Sequence, residues 1–137
     1  MSQRSVPVAR EVKQRGNYVV TLAGARSIGL QILKQEILEA SDEVHWTTDD
    51  GSDGFHGNLV DLMRSLHHDR PPGFVHVIGP NPLMRAAAEL TRGWDVRTVA
   101  SLNPIMLDGT GMCGGCRVSV GGRPMFACVD GPEFDAH

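Results

Sequence analysis

All three cysteines of this chain, Cys113, Cys116 and Cys128, fall in its last quarter, in a stretch crowded with glycine. An odd number cannot be consumed by disulfides within one chain. A Cys-x2-Cys pair followed by one distant cysteine has the spacing of a metal site in a reducing compartment rather than of a disulfide framework. Gly109, Gly111, Gly114 and Gly115 argue against a helix or regular strand there, since glycine loses the most backbone freedom inside such elements. The segment is therefore loop, and the hydrophobic core must come from upstream.

Upstream, apolar runs alternate with helical patterns. Residues 18–23 (YVVTLA), Glu43–Thr48, Phe74–Ile78 and residues 96–100 read as buried strands. Between them, Leu30, Leu33 and Ile37 share one helical face, as do Leu59, Leu62, Met63 and Leu66, and then Met84, Ala87 and Leu90. Residues 6–15 form a further short helix that stops at Gly16-Asn17. Strands alternating with helices predict an α/β fold with a parallel sheet and helices on its faces. After Ser101 helical periodicity ends, and residues 117–120 and 123–127 read as a hairpin about Gly121-Gly122. The expected division is residues 1–102 as an α/β unit and 103–137 as a separate C-terminal module attached to it.

A net charge of −3 without a basic run argues against nucleic acid as a partner. No apolar stretch has the length of a membrane span, and the charged start lacks a signal-peptide core. With the cysteine usage, this makes the cytoplasm the expected compartment.

The chemistry-bearing pattern is Asp108-x4-Cys113-x2-Cys116-x11-Cys128. Plant-type ferredoxins hold a [2Fe–2S] cluster on C-x4-C-x2-C and a distant fourth cysteine, and Asp108 stands where their first cysteine would be. Carboxylate can ligate iron, as a harder donor than thiolate. Two other readings stay open on spacing alone. Three cysteines can bind zinc with Asp108 or His137 as fourth ligand, and a lone CxxC can be a redox dithiol.

Three further segments follow strand ends. Gly24-Ala25-Arg26-Ser27, Asp49-Asp50-Gly51-Ser52 and Gly79-Pro80-Asn81-Pro82-Leu83-Met84 should collect on the carboxyl rim of a doubly wound sheet, where ligands bind. Asp49 and Asp50 could accept hydrogen bonds from a ribose 2′-hydroxyl and would repel a 2′-phosphate, favouring NAD(H) over NADP(H), while Arg26 could engage a phosphate. On sequence alone Asp-Asp-Gly-Ser is more often an ordinary solvated turn than a ribose clamp, and Gly79-Pro80 either places backbone against a pyrophosphate or nicotinamide or is a stiff strand-to-helix turn with Pro82 near the helix start. His45 and His76 read as satisfied structural residues, and no nucleophile–base pair stands out.

Residues 101–135, SLNPIMLDGTGMCGGCRVSVGGRPMFACVDGPEFD, resemble the C-terminus of the small subunit of NADH-dependent ferredoxin:NADP oxidoreductase, or sulfide dehydrogenase subunit, related to the dihydroorotate dehydrogenase electron-transfer subunit. The three rim segments resemble that family in the same order. The resemblance implies a [2Fe–2S] cluster on Asp108, Cys113, Cys116 and Cys128. It also implies a ferredoxin-reductase-type nucleotide domain, and a cofactor site including Gly24, Arg26, Asp49, Asp50, Gly51, Ser52, Gly79, Pro80, Pro82 and Met84. The implied activity is electron transfer between NADH–flavin and a larger flavin or iron–sulfur subunit, with ferredoxin or another redox protein as a further partner. The family's flavin-binding barrel and first, glycine-rich strand have no counterpart here, so FAD is expected on a missing domain or partner. A non-enzymatic electron-carrier or assembly module is the alternative. In the doubly wound order 3-2-1-4-5 the absent strand would leave the strands of residues 18–23 and 74–78 flanking an empty slot. The expected consequence is a donated strand or instability, rather than direct pairing or a makeshift strand from residues 1–7.

Overall fold

The computed structural model describes residues 5–25 and 34–137, and it divides into two compact units, Met1–Pro71 and Pro72–His137. Arg26, Ser27, Leu30 and Leu33 lie outside the described residues.

In the first unit, helix α1 (Ser5–Gln14) precedes strand β1 (Val20–Ala25), helix α2 (Lys34–Ala40), strand β2 (Glu43–Thr48), the short strand β3 (Phe55–His56) and helix α3 (Leu59–Asp69). The β-branched and apolar run of β1 pairs in parallel with β2, Val20 against Glu43 through Ala25 against Thr48, and β2 pairs in parallel with β3. Ala23, Ile37, Ala40, Thr47, Thr48 and Leu62 are buried. Removing most of a side chain such as Ile37 or Leu62 would cost ~2–5 kcal/mol. Asn58 starts α3 by accepting the Asp61 amide at 2.9 Å while its own amide donates to the Asp61 carboxylate at 2.6 Å. The first bond satisfies one of the open backbone amides of the first turn, and the second locks the two side chains together.

In the second unit, strand β4 (Phe74–Ile78), helix α4 (Asn81–Gly93) and strand β5 (Arg97–Ser101) lead to the hairpin β6 (Arg117–Val120) and β7 (Arg123–Phe126), then to strand β8 (Glu133–Asp135). β4 and β5 are parallel, and β8 adds to β5 in antiparallel register. Met84, Ala87 and Thr91 recur at helical spacing and are buried beneath α4. Thr98 on β5 donates to Thr91 at 2.6 Å, and Thr91 donates to the Ala87 carbonyl at 3.0 Å, so both buried hydroxyls are satisfied.

The α/β class and the parallel pairing agree with the periodicity. The expectation of one sheet does not hold. The described residues form three sheets, β1-β2-β3, β4-β5-β8 and β6-β7. β1 is an edge strand of the first unit's sheet, and β4 is an edge strand of the second unit's sheet. Residues 5–7 are helical, which removes them from any makeshift strand. β8 was not foreseen: Glu133-Phe134-Asp135 is too short and too acidic to read as a strand without its partner.

Candidate metal centre and nucleotide rim

The cysteine loop leaves β5 and closes on the β6–β7 hairpin. The Asp108 carboxylate bends back over the loop, taking the Thr110 amide at 2.9 Å and the Cys113 amide at 3.2 Å. The Thr110 bond, ahead of those from Cys113, holds the Asp108 carboxyl below the ordinary aspartate range. Gly109, Gly111 and Gly114 all have positive φ, which lets the chain reverse tightly enough for an aspartate five residues away to reach Cys113.

The hairpin brings the distant cysteine home. Arg117 pairs with Phe126, and the Ala127 amide donates to the Cys116 carbonyl at 3.1 Å, which sets Cys128 beside Cys116. Their sulfurs are hydrogen-bonded at 3.1 Å, and the Cys128 amide donates to the Cys116 sulfur at 3.4 Å. The bond from the Cys128 side chain, then that from its amide, favours thiolate at Cys116, whereas the same shared proton and burial push Cys128 up. Cys113 is exposed, and its sulfur accepts the Gly115 amide at 3.4 Å. All three cysteines are free thiols. Among the described residues no three His, Cys, Asp or Glu side chains already form one metal-holding group. The donors instead come as the Cys116–Cys128 pair and as Asp108 tied to the Cys113 backbone. His137 is not with them, since its ring is bonded to Thr91 and to the Ala88 carbonyl at 3.2 Å. The donor chemistry, three thiols and a carboxylate with backbone amides turned toward two of the sulfurs, suits an iron–sulfur cluster.

The rim residues fall in both units. In the first, Asp49 donates its amide to the Ala25 carbonyl at 3.1 Å, which seats the 49–52 turn against the end of β1. Thr48 pins the turn, donating to the Asp53 carbonyl at 2.7 Å and accepting its amide at 3.0 Å. The Asp50 carboxylate takes the Ser52 amide at 3.0 Å, and bonds from Ser52 lower its pKa. Asp49 and Asp50 are exposed. Gly24 has a packing reason of its own, because a Cβ there would meet Leu59 and Thr47 at 3.1 Å. In the second unit, Gly79 and Pro80 follow β4. Pro80 caps α4 without a side-chain bond, Pro82 lies in its first turn, and Met84 is buried in packing.

Two structural histidines differ. His45 is satisfied by Glu43 at 2.6 Å. His76, expected to be satisfied, has a buried Nε2 with no hydrogen-bond partner among the described residues, and burial lowers its pKa. The Thr48 clamp and the Asp130 carboxylate on the Phe126 amide at 2.8 Å were not anticipated. Thr and Asp two to five residues from a glycine turn are the pattern that could have revealed them.

Residues 103–137 match the iron-sulfur cluster binding domain of dihydroorotate dehydrogenase B. The chain is 45% identical over 128 residues to a dihydroorotate dehydrogenase B (NAD(+)) electron transfer subunit homolog of Thermotoga maritima, covering 93% of this chain and 45% of that protein. It is 43% identical to an uncharacterized protein of Clostridium beijerinckii, over 97% of this chain and 47% of the other. Its fold matches a chain of the NADH-dependent reduced ferredoxin-NADP oxidoreductase, a structure described in terms of flavin-based electron bifurcation. That match has a TM-score of 0.86 and 42% identity, over 96% of this chain and 48% of the other. The chain spans about half the length of the curated relatives it matches, and by sequence and fold together it is similar to the electron-transfer subunits of dihydroorotate dehydrogenase B, with the match to the iron-sulfur cluster binding domain confined to residues 103–137.

Proposed function

We propose that the chain is the cluster-bearing, nucleotide-facing part of an oxidoreductase's electron-transfer subunit, passing electrons between an NADH–flavin couple and a larger partner subunit. The observation that carries this reading is the pairing of Cys116 and Cys128, sulfur to sulfur, in a loop whose sequence matches an iron–sulfur domain. Residues 103–137 serve as the cluster module and residues 1–102 as a partial NAD(P)-binding domain of ferredoxin-reductase type. FAD would be held mainly by a further domain or by the partner.

When bound, a [2Fe–2S] cluster supplies a one-electron relay. Asp108, Cys113, Cys116 and Cys128 would hold it, the sulfurs of Cys116 and Cys128 already lying side by side and the Asp108 carboxylate resting on the Cys113 amide. Iron uptake requires thiolates, and the bonds from Cys128 favour the thiolate at Cys116. Gly115 and Cys128 amides would then stabilise sulfur charge. Ile105, Leu107, Met112 and Val129 are 60–89% exposed beside this loop, an apolar rim suited to a partner that must approach the cluster closely. On the nucleotide side, Asp49 and Asp50 favour NADH over NADPH. Gly24 and Gly51 let the backbone come near the ligand, and Ser52, Gly79, Pro80 and Pro82 shape the turns, with Met84 supporting from within.

Anaerobically prepared protein should contain iron and acid-labile sulfide in equal amounts, with the visible absorption of a [2Fe–2S] centre. Asp108→Ala should weaken that content and Asp108→Cys should retain it. Zinc without sulfide would overturn the proposal. A second reading, an iron–sulfur carrier or assembly module without nucleotide binding, gains from Gly24, whose lack of a side chain Leu59 already explains. Absence of NADH binding in the complex, with the cluster present, would favour it.

A further inference from the structure

Arg117 directly follows Cys116, and its amide closes the cysteine turn by donating to the Gly114 carbonyl at 3.3 Å. Its side chain folds back over that turn. The guanidinium carbon lies 5.7 Å from the centroid of the Phe126 ring, on the residue that faces it across the hairpin. One of its terminal nitrogens lies 3.7 Å from where a Cβ on Gly114 would be. Gly114 lies between Cys113 and Cys116 in sequence, so the charge sits against the turn that carries two of the proposed ligands. Among the described residues no carboxylate forms an ion pair with Arg117. Asp130, the nearest acidic residue in sequence to the far strand, spends its carboxylate on the Phe126 amide. The hairpin thus keeps a permanently charged, uncompensated cation beside the cysteine turn.

A cluster on three thiolates and one carboxylate is anionic, and reduction adds one more negative charge. A fixed cation nearby favours the reduced form more than the oxidised one. Arg suits the place better than Lys, since its planar group stacks on an aromatic face and cannot deprotonate. We propose that Arg117, held by Phe126, is an electrostatic positioning residue that raises the reduction potential of the cluster. The proposal rests on the cluster reading above.

The test is a spectroelectrochemical titration of the cluster-loaded chain, with iron and sulfide content measured on each sample. Arg117→Gln should shift the reduction equilibrium toward the oxidised form by up to about tenfold, ~59 mV for a one-electron couple. Phe126→Leu, which frees the guanidinium but keeps its charge, should fall between. Added salt should narrow the gap between Arg117→Gln and the unsubstituted chain, because the group is exposed. Full cluster content with an unchanged potential in Arg117→Gln overturns the role of Arg117 and leaves the cluster reading standing. Should Arg117→Gln fail to load, Arg117→Met, which keeps an apolar stem against Phe126 but no charge, decides: a salt-sensitive drop in potential supports the proposal, and an unchanged potential at every ionic strength overturns it. A chain that never holds iron and sulfide overturns both readings.

Discussion

In the loop after β2, Asp50 accepts the amide of Ser52 at 3.0 Å; in the loop after β5, Asp108 accepts the amide of Thr110 at 2.9 Å. Both turns use glycines of positive φ, Gly51 and Gly54 in one and Gly109 and Gly111 in the other. In both, the carboxyl is held below its ordinary pKa by hydrogen bonds from the residue two places on. The same local bond is thus built twice. What separates the loops is what comes next. Asp108 has a second amide, that of Cys113, and a hairpin that returns a distant thiol to within 3.1 Å of another. The acidic loop returns to its own Thr48, to the Ala25 carbonyl and to Lys34, none of which is a soft donor. An aspartate–glycine turn is therefore weak evidence of a site, and long-range convergence of soft donors is strong evidence.

The largest expected effect lies on the convergent side. Cys116→Ser should abolish most iron and sulfide binding, since a hard hydroxyl replaces the buried sulfur on which the Cys128 thiol and amide converge. Cys113→Ser and Cys128→Ser should follow closely. None should greatly change the far-ultraviolet circular dichroism of the first unit. A Cys116→Ser protein with full sulfide content would show that the thiol pair is not a ligand pair.

Next in size is a change that touches only the acidic loop. Gly54 has φ +70, and a Cβ there would overlap the Trp46 carbonyl. Gly54→Ala should destabilise the chain by about 2–4 kcal/mol in urea unfolding, from strain and overpacking. Cluster content in the surviving folded protein should not change. Unaltered stability would mean that the loop is softer than its clamp suggests.

The same contrast explains what could be read in advance. Glu43–Thr48 and Phe74–Ile78 were legible as strands to the residue, because apolar runs between glycine- or proline-bearing loops leave few alternatives. The hairpin was legible from Gly121-Gly122. β8 was not, because Glu133 and Asp135 acquire strand geometry only through β5. Nor was the separation into sheets, since alternation of strand and helix reports local periodicity and not which strands share hydrogen bonds. Gly24 shows the limit for site residues: its position fitted a nucleotide rim, while Leu59, far along the chain, gives an independent reason for it.

A smaller effect tests whether the acidic loop has any ligand at all. Asp49 and Asp50 are exposed, but Asp50 is already engaged with Ser52. Replacing them together by Ser and Arg removes repulsion toward a 2′-phosphate and adds a partner for it. In the complex containing the flavin domain, the ratio of kcat/KM for NADH over NADPH should fall several-fold, about 1 kcal/mol in differential binding. An unchanged ratio would remove both residues from the ribose site and leave the loop a structural turn.

The smallest effect is in acid, and it asks whether the two aspartates are alike in the cluster-free chain as their bonds suggest. Both folded pKa values are depressed, so each carboxylate contributes stability above its unfolded value, ~3.9 for aspartate, and loses it as pH falls through the folded value. Carbon-13 titration of the aspartate carboxyls should place both below the ordinary value without iron. Asp50→Asn keeps an oxygen for the Ser52 amide but cannot ionise, so it should flatten the fall in stability below about pH 4 while leaving the neutral-pH loop intact. Asp108→Asn should do the same in the cluster-free chain. With the cluster loaded the two should part, because metal binding requires the ligand deprotonated and iron would compete with protons at Asp108 alone. Acid loss of the visible absorption should therefore respond to Asp108→Asn and not to Asp50→Asn. Equal responses from both substitutions would mean that the two loops differ in sequence but not in function.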